Sequence, residues 1–164
     1  QVQSRLSTQS DDVLSTVNQN DSFGLNRYIR YYNPDNRTFK GAINPDTGYG
    51  SQKAPGQFGN LLDETFTSRG RSYNIELRYR ARSVQNGSET LQFAYQGRPS
   101  DDAVTVTQTI TLYDNQTLSA PDAPPAELWR YSTDRSATDA PYYPIPNAVD
   151  GPVYNVVEVR LTVW

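Results

Sequence analysis

The apolar residues of this 164-residue chain change their period once, close to Gly70. Before that point they recur every three to four positions, as on one face of an α-helix. After it they alternate with polar residues, as in a half-buried β-strand. A chain with this order is expected to fold as helices followed by an antiparallel sheet, with the helices covering one face. The sequence therefore predicts one α+β domain over residues 1–164.

Three amphipathic helices are predicted before the change of period. The first covers residues 2–17 and has a narrow apolar stripe. The second is short, is capped by Asp21 or Ser22, and ends before Asn33. The third covers about residues 57–68, with Gly70 at its C-terminal cap. In chain order, the apolar faces consist of Val2, Leu6, Val13, Leu14 and Val17; Phe23, Tyr28, Ile29 and Tyr32; and Phe58, Leu61, Leu62, Thr65 and Phe66.

An antiparallel sheet of about four strands is predicted after the change of period. The first strand covers residues 72–82, and a turn at Asn86-Gly87 leads into the second, whose core side carries Leu91, Phe93 and Tyr95. The third strand has a face of threonine, formed by Thr105, Thr107, Thr109 and Thr111. The last strand is predicted to be central, because one of its sides is apolar and the other is partly apolar. Its apolar side is Val157, Val159, Leu161 and Val163, and its other side is Tyr154, Val156, Glu158, Arg160, Thr162 and Trp164.

A proline-rich excursion separates the last two strands. Residues 114–152 contain seven of the eleven prolines and have no clear period. A segment of this length without regular structure is usually functional or disordered. We expect Leu128, Trp129, Tyr131 and residues 142–146 to attach it to the body of the domain.

The composition excludes several classes of function. The sequence has no cysteine and no histidine, so it cannot form the usual zinc sites, a thiol nucleophile or a Ser-His-Asp triad. No glycine-rich phosphate loop follows a strand. A net charge of −3 argues against a nucleic-acid partner, and no apolar run approaches the roughly 20 residues that cross a bilayer. We therefore expect no enzyme, no cofactor, no metal, no nucleic acid and no membrane contact by these residues.

Two weaker chemical patterns have plain alternatives. Glu76 and Glu158 form a possible acid pair, but strand carboxylates among arginines usually form cross-strand ion pairs. Residues 44–48 place oxygen atoms at alternate positions before a glycine, as in a calcium loop. The acidic residue that should follow is missing, so an ordinary turn is favoured.

Candidate binding residues lie on the first strand and in the excursion. The arginine row could bind an anionic glycan, and the aromatic residues could stack on a sugar or a partner. A solvated sheet face and a loop anchored by aromatics are the favoured alternatives. These candidates are Arg78, Arg80, Arg82, Trp129, Tyr142 and Tyr143. Asn-x-Ser/Thr triplets mark four candidate glycosylation sites, Asn20, Asn36, Asn86 and Asn115.

Among the acidic residues and among the basic residues, one type is much more frequent than the other. Asp outnumbers Glu 13 to 5, and Arg outnumbers Lys 13 to 2. This choice is typical of proteins from high-salt organisms, in which long-range charge effects are screened. Ordinary variation in a small domain is the alternative.

Five segments resemble a haloarchaeal pilin-like family of secreted or membrane-anchored proteins associated with type IV pilus-like systems. The segments are QSDDVL (9–14), FGNLLDETF (58–66), TLYDNQTL (111–118), YPIPN (143–147) and YNVVEVRL (154–161). The resemblance spans most of the chain and implies an extracellular or cell-surface head domain that is not an enzyme. It implies partners among other pilin-like subunits, cell-surface components and possible glycans.

Type IV pilins have a leader peptide and a hydrophobic N-terminal helix, and this sequence contains neither. We therefore expect residues 1–18 to be the polar end of a longer helix, with an upstream segment that anchors the protein. Two further functions stay open. One is a secreted glycan-binding module that uses Tyr, Trp and Arg, and the other is a hydrolase or lyase that uses carboxylates, Tyr and Arg.

Overall fold

The structure is a computed structural model that describes residues 2–82 and 87–164. Its helices are α1 (Val2–Asn18), α2 (Leu25–Ile29) and α3 (Gly56–Thr65), and single 3₁₀ turns lie at Thr67–Arg69 and Leu128–Arg130. Its strands are β1 (Tyr32–Asn33), β2 (Thr38–Phe39), β3 (Tyr73–Arg80), β4 (Ser88–Tyr95), β5 (Val104–Tyr113) and β6 (Val153–Val163). The predicted order of helices followed by a sheet is confirmed.

The main sheet is antiparallel and has four strands in the order β4-β3-β6-β5. The last strand of the chain is therefore central, as its two-sided apolar pattern predicted. β1 and β2 form a separate small hairpin. The helices, this hairpin and the proline-rich excursion all contribute to one hydrophobic core, which lies on one face of the main sheet.

The first helix packs as its stripe predicted, except at its start. Leu6, Leu14 and Val17 are buried, whereas Val2 is 63% exposed. Ser10 also lies on the buried face, where its hydroxyl donates to the Leu6 carbonyl at 2.7 Å. This bond satisfies the one polar side chain on the buried face of α1.

The second helix differs from the prediction at both ends, and the third ends at Thr65 and not near residue 68. α2 starts after Gly24 without a side-chain cap, so the predicted cap at Asp21 or Ser22 is wrong. The turn is instead organised by Asn20, whose Oδ1 accepts the backbone amides of residues 22 and 23 at 2.9 and 3.1 Å. Phe23 and Tyr32 lie outside α2. The left-handed cap at Gly70 is confirmed, with φ 75° after the 3₁₀ turn.

Two bulges overturn the predicted orientation of two tyrosines. Ile75 pairs with Ala94 and the next residue with Gln92, which leaves Phe93 as an extra residue in β4. The alternation shifts by one beyond it, so Tyr95, which was predicted to face the core, is 38% exposed.

A second register shift lies between Leu112 and Tyr113 of β5. It leaves Tyr154 as an extra residue of β6 that pairs with no residue of β5. Tyr154, predicted to face away from the core, is therefore buried. Its hydroxyl donates to the Ile145 carbonyl at 2.6 Å.

The proline-rich excursion packs on the body of the domain, although it has little regular structure. Leu128, Tyr143 and Ile145 are fully buried and Tyr131 is half-buried, as predicted for the attachment. Trp129 does not attach the segment, because it is 47% exposed. No helix in the described part of the chain has both the length and the apolar character for crossing a bilayer.

Candidate interaction surfaces

The face of the sheet opposite the helices is polar and carries the two candidate acids. Arg160 lies between them, with its guanidinium 4.0 Å from Glu76 and 3.4 Å from Glu158. Glu76 pairs with Arg160 in the β3–β6 register. The side chains are about one-third exposed, so such contacts contribute little to stability. Glu76 therefore matches the cross-strand ion-pair interpretation, whereas Glu158 contacts Arg160 within its own strand.

The structure separates the candidate arginines from the candidate tyrosines. Arg78 and Arg80 are exposed on the open face, and Arg82 follows the end of β3. Arg82 lines a 370 Å³ cleft together with residues 147–151. Tyr142 belongs to the helix side, where it packs near Tyr32. The arginine row and the aromatic residues therefore do not form one surface.

Tyr142 and Trp129 are each paired with arginine on their own part of the surface. The Tyr142 ring faces the guanidinium groups of Arg37 and Arg135 at 5.1 and 5.6 Å. The Trp129 ring has the Arg130 guanidinium 4.2 Å from its centroid, and its indole nitrogen donates to Glu127 at 2.9 Å. A sugar that stacks on a ring face covered by an arginine would have to displace that arginine.

Tyr143 is not part of a binding surface, which corrects the sequence prediction. It is fully buried, and its hydroxyl donates to the Ile29 carbonyl at 2.7 Å. Its ring packs against those of Tyr32 and Tyr131. Burial raises the pKa of the Tyr143 hydroxyl well above its ordinary value. The residue is a core side chain that holds the excursion against α2.

The candidate glycosylation sites lie in different surroundings. Asn36 and Asn115 are exposed in turns. Asn20 is half-buried, and its amide nitrogen donates to Gln57 at 2.6 Å. A glycan on Asn20 would therefore have to break this bond. Asn86, with most of the predicted Asn86-Gly87 turn, lies outside the described residues.

The calcium-like segment forms a compact turn. The Asp46 amide donates to Asn44 Oδ1 at 2.9 Å, and Gly48 lies in the left-handed region with φ 58°. A Cβ at Gly48 would overlap the Phe93 carbonyl group, so the close approach of this turn to β4 requires glycine. Within residues 2–82 and 87–164, no group of three or more acidic side chains is placed to hold a metal ion.

A large polar cleft, which the sequence did not reveal, lies where α1 meets α2. Its volume is 610 Å³, and its wall includes Asn18, Asn20, Asn26, Arg27, Arg30 and Ser119. Arg30 donates to Asn26 Oδ1 at 2.8 Å and to the Thr117 carbonyl at 2.7 Å. Burial lowers the pKa of Arg30. Amides, hydroxyls and guanidinium groups of this kind can bind a hydroxyl-rich or anionic ligand.

The comparisons with known proteins give the family but not the function. No curated protein and no solved structure matches the chain. One family model matches residues 1–163, which is nearly the whole sequence. The chain therefore belongs to DUF7288, a family of unknown function.

Proposed function

We propose that this chain is the non-enzymatic extracellular domain of an archaeal pilin-like or pilus-associated surface protein that acts in filament assembly or adhesion. The observation that supports the proposal best is the packing of α1. Its stripe from Leu6 to Val17 lies against the antiparallel sheet, mainly over β5, and helps to form the core. A β-rich head built around an N-terminal helix is what the resemblance to pilins implies.

The start of α1 provides the surface for this role. Val2, Leu6 and Trp164 line a 460 Å³ groove together with polar residues such as Arg71 and Asp102. The end of β6 is fixed beside it, because Trp164 exchanges two backbone hydrogen bonds with Ser72 at 3.0 and 3.1 Å. A groove that combines exposed apolar and polar side chains suits contact with another subunit or with a cell-surface component.

The proposal is tested in the native cell, with antibodies against the folded domain. We expect protease added to intact cells to remove the domain, and sheared surface filaments to contain it. Protection from protease in intact cells, with the protein recovered only from the cell interior, would contradict the proposal.

A matched pair of variants tests the groove. Val2→Asp places a charge in it at an exposed position, and Ser4→Asp places the same charge on α1 at another exposed position. We expect only the Val2→Asp protein to be depleted from the filament fraction, with both variants folded. Equal amounts of the two in that fraction would remove the groove from the proposal.

The polar cleft favours a second candidate function, the binding of a surface glycan. We expect the purified domain to bind members of a glycan array, and Arg27→Ala to weaken that binding. Arg98→Ala, which alters an exposed arginine outside the cleft, is the control. An array without signal would exclude this function for the sugars tested.

A further inference from the structure

We propose that the outer edge of β5 is a self-association site, at which two copies of this chain pair as antiparallel strands. The inference rests on the geometry of the sheet and does not depend on the function proposed above. It commits to a second copy of the chain as the occupant of the edge.

The register shows which backbone groups of β5 point outward. Ser72 and Trp164 donate a backbone hydrogen bond to each other. Counting back from Trp164, every second residue of β6 therefore bonds to β3. The residues between them, such as Val163 and Leu161, bond to β5 at Val104 and Val106. The N–H and C=O groups of the threonines therefore point away from the sheet. These outward residues are Thr105, Thr107, Thr109 and Thr111.

Contacts at one end of the edge support this assignment. The Thr111 carbonyl accepts a hydrogen bond from the Asn26 side chain at 2.8 Å, which is possible only if it points outward. The backbone groups of Thr105, Thr107 and Thr109 have no hydrogen-bond partner in the described part of the chain. This stretch is an open strand edge.

The helix above the sheet leaves room for another strand. The Gln108 side chain rises on the helix side of β5 and lies 3.4 Å from the Ser15 hydroxyl and 3.5 Å from the Asn18 side chain. Ser15 and Asn18 are outside the buried stripe of α1. Gln108 thus contacts α1 outside its buried stripe, so α1 lies on the face of β5 and meets a side chain there, not the outward backbone groups.

The composition of β5 lacks the usual protection of an edge strand. Val104–Tyr113 has no charged residue, no proline and no glycine, and it consists largely of β-branched residues. Natural edge strands are normally blunted by charge, proline, bulges or a covering segment. The pairing of β5 with β6 has one bulge, and it lies at the C-terminal end of β5, beside Tyr113. An edge of this kind is suited to the addition of a strand.

The opposite edge of the sheet is protected in several of these ways. β4 has a bulge at Phe93, and residues 47–49 cover its end. The Tyr49 amide donates to the Phe93 carbonyl, and the Tyr95 amide donates to the Thr47 carbonyl, each at 2.9 Å. Glu89 adds a charge to the remaining stretch. The contrast singles out β5 as the edge available for pairing.

A second copy fits β5 because the strand is neutral and repeats threonine at every outward position. If Thr107 lies on the two-fold axis, it faces Thr107 of the second copy, and Thr105 faces Thr109 of that copy. This register forms about six backbone hydrogen bonds and leaves the Asn26–Thr111 bond intact. Cross-strand threonine pairs already occur in the sheet, since the hydroxyls of Thr105 and Thr162 are 2.9 Å apart.

The test measures mass in solution over a wide range of protein concentration. We expect the wild-type mass to rise from 18.4 kDa to twice that value. Thr107→Lys should stay monomeric, because two like charges would face each other across the axis. Thr90→Lys is the matched control, since Thr90 is an exposed outward position on β4, and it should associate as the wild type does.

Charge reversal makes the test specific for the register. Thr107→Glu alone should also stay monomeric, whereas an equal mixture of Thr107→Lys and Thr107→Glu should double in mass at low salt, where the charges attract. A mixture that stays monomeric would overturn the Thr107-centred register. A wild-type chain that stays monomeric throughout, whether or not it binds a peptide from another protein, would overturn the proposal, as would loss of association in Thr90→Lys.

Discussion

Two parts of the molecule cover the same face of the sheet, and they do so with different chemistry. Over β5 the cover is α1, whose buried side chains are aliphatic apart from Ser10 and whose backbone bonds to itself. Elsewhere the cover consists of short elements and loops, and its buried side chains are largely aromatic. Tyr28, Phe39 and Tyr143 are among the largest fully buried side chains of the domain.

The aromatic part must supply hydrogen-bond donors to buried carbonyl groups, which a helix satisfies with its own backbone. Irregular backbone leaves carbonyl groups near the core without a partner, and burial of such a group is costly. Tyrosine supplies both apolar area and a hydrogen-bond donor. The hydroxyls of Tyr28, Tyr49, Tyr131, Tyr143 and Tyr154 donate to the carbonyls of Pro55, Lys40, Pro124, Ile29 and Ile145, respectively, at 2.6–3.3 Å. We call these five residues the tyrosine anchors.

Alkaline pH should have the largest effect, because it acts on many buried tyrosines together. Burial raises the pKa of Tyr73, Tyr79 and Tyr131 to about 12, and it raises that of Tyr143 well above its ordinary value. In the unfolded chain these hydroxyls lose their protons near pH 10. The folded chain then holds more protons, so the free energy of unfolding falls as the pH rises from about 10 through 12.

Melting curves and near-UV circular dichroism from neutral to alkaline pH would measure this loss. Tyrosinate absorbance in the same samples should rise together with unfolding. A titration of every tyrosine near pH 10, with the fold retained, would contradict the burial described for the anchors.

Leu14→Ala tests the aliphatic part of the comparison. Leu14 is fully buried on α1, so its truncation should lower the free energy of unfolding by about 2–5 kcal/mol. Val2→Ala on the same helix is the control and should change it by less than about 0.5 kcal/mol, because Val2 is largely exposed. Urea denaturation of both variants gives the two values, and a similar small effect for both would mean that α1 is only loosely packed.

Tyr143→Phe isolates the hydroxyl of one tyrosine anchor and should have the smallest effect. The ring stays, but the buried Ile29 carbonyl loses its donor, which should cost about 1–3 kcal/mol in urea denaturation. Tyr113→Phe is the control, since Tyr113 is 44% exposed. If both substitutions are neutral, the anchors act only through their rings.

Local pattern was sufficient for most of the secondary structure. The stripe on α1, the alternation of β3 and the two-sided apolar pattern of β6 each follow the repeat of a single helix or strand, so residues close in sequence are enough to show them. These signals predicted the helices, the four-stranded sheet and the central position of the last strand. They could not predict the bulges at Phe93 and Tyr154, which depend on what each strand pairs with.

The candidate surfaces were predicted less well, because a surface is assembled from distant segments. Arg78 and Arg80 are exposed as expected, but Tyr143 is buried by segments more than a hundred residues away, at Ile29 and Tyr32. The polar cleft joins residues 18–30 with residues 117–119. No pattern within one segment carries that information.

The sequence by itself determined the type and order of the elements, because periodicity follows from the geometry of a helix or a strand. It also determined that the chain has none of the cysteine or histidine chemistry of common catalytic sites. The tertiary structure alone decided which aromatic residues are anchors, where the cleft lies and which edge of the sheet is open. Those features depend on the pairing order β4-β3-β6-β5, which brings together residues that are far apart in the chain.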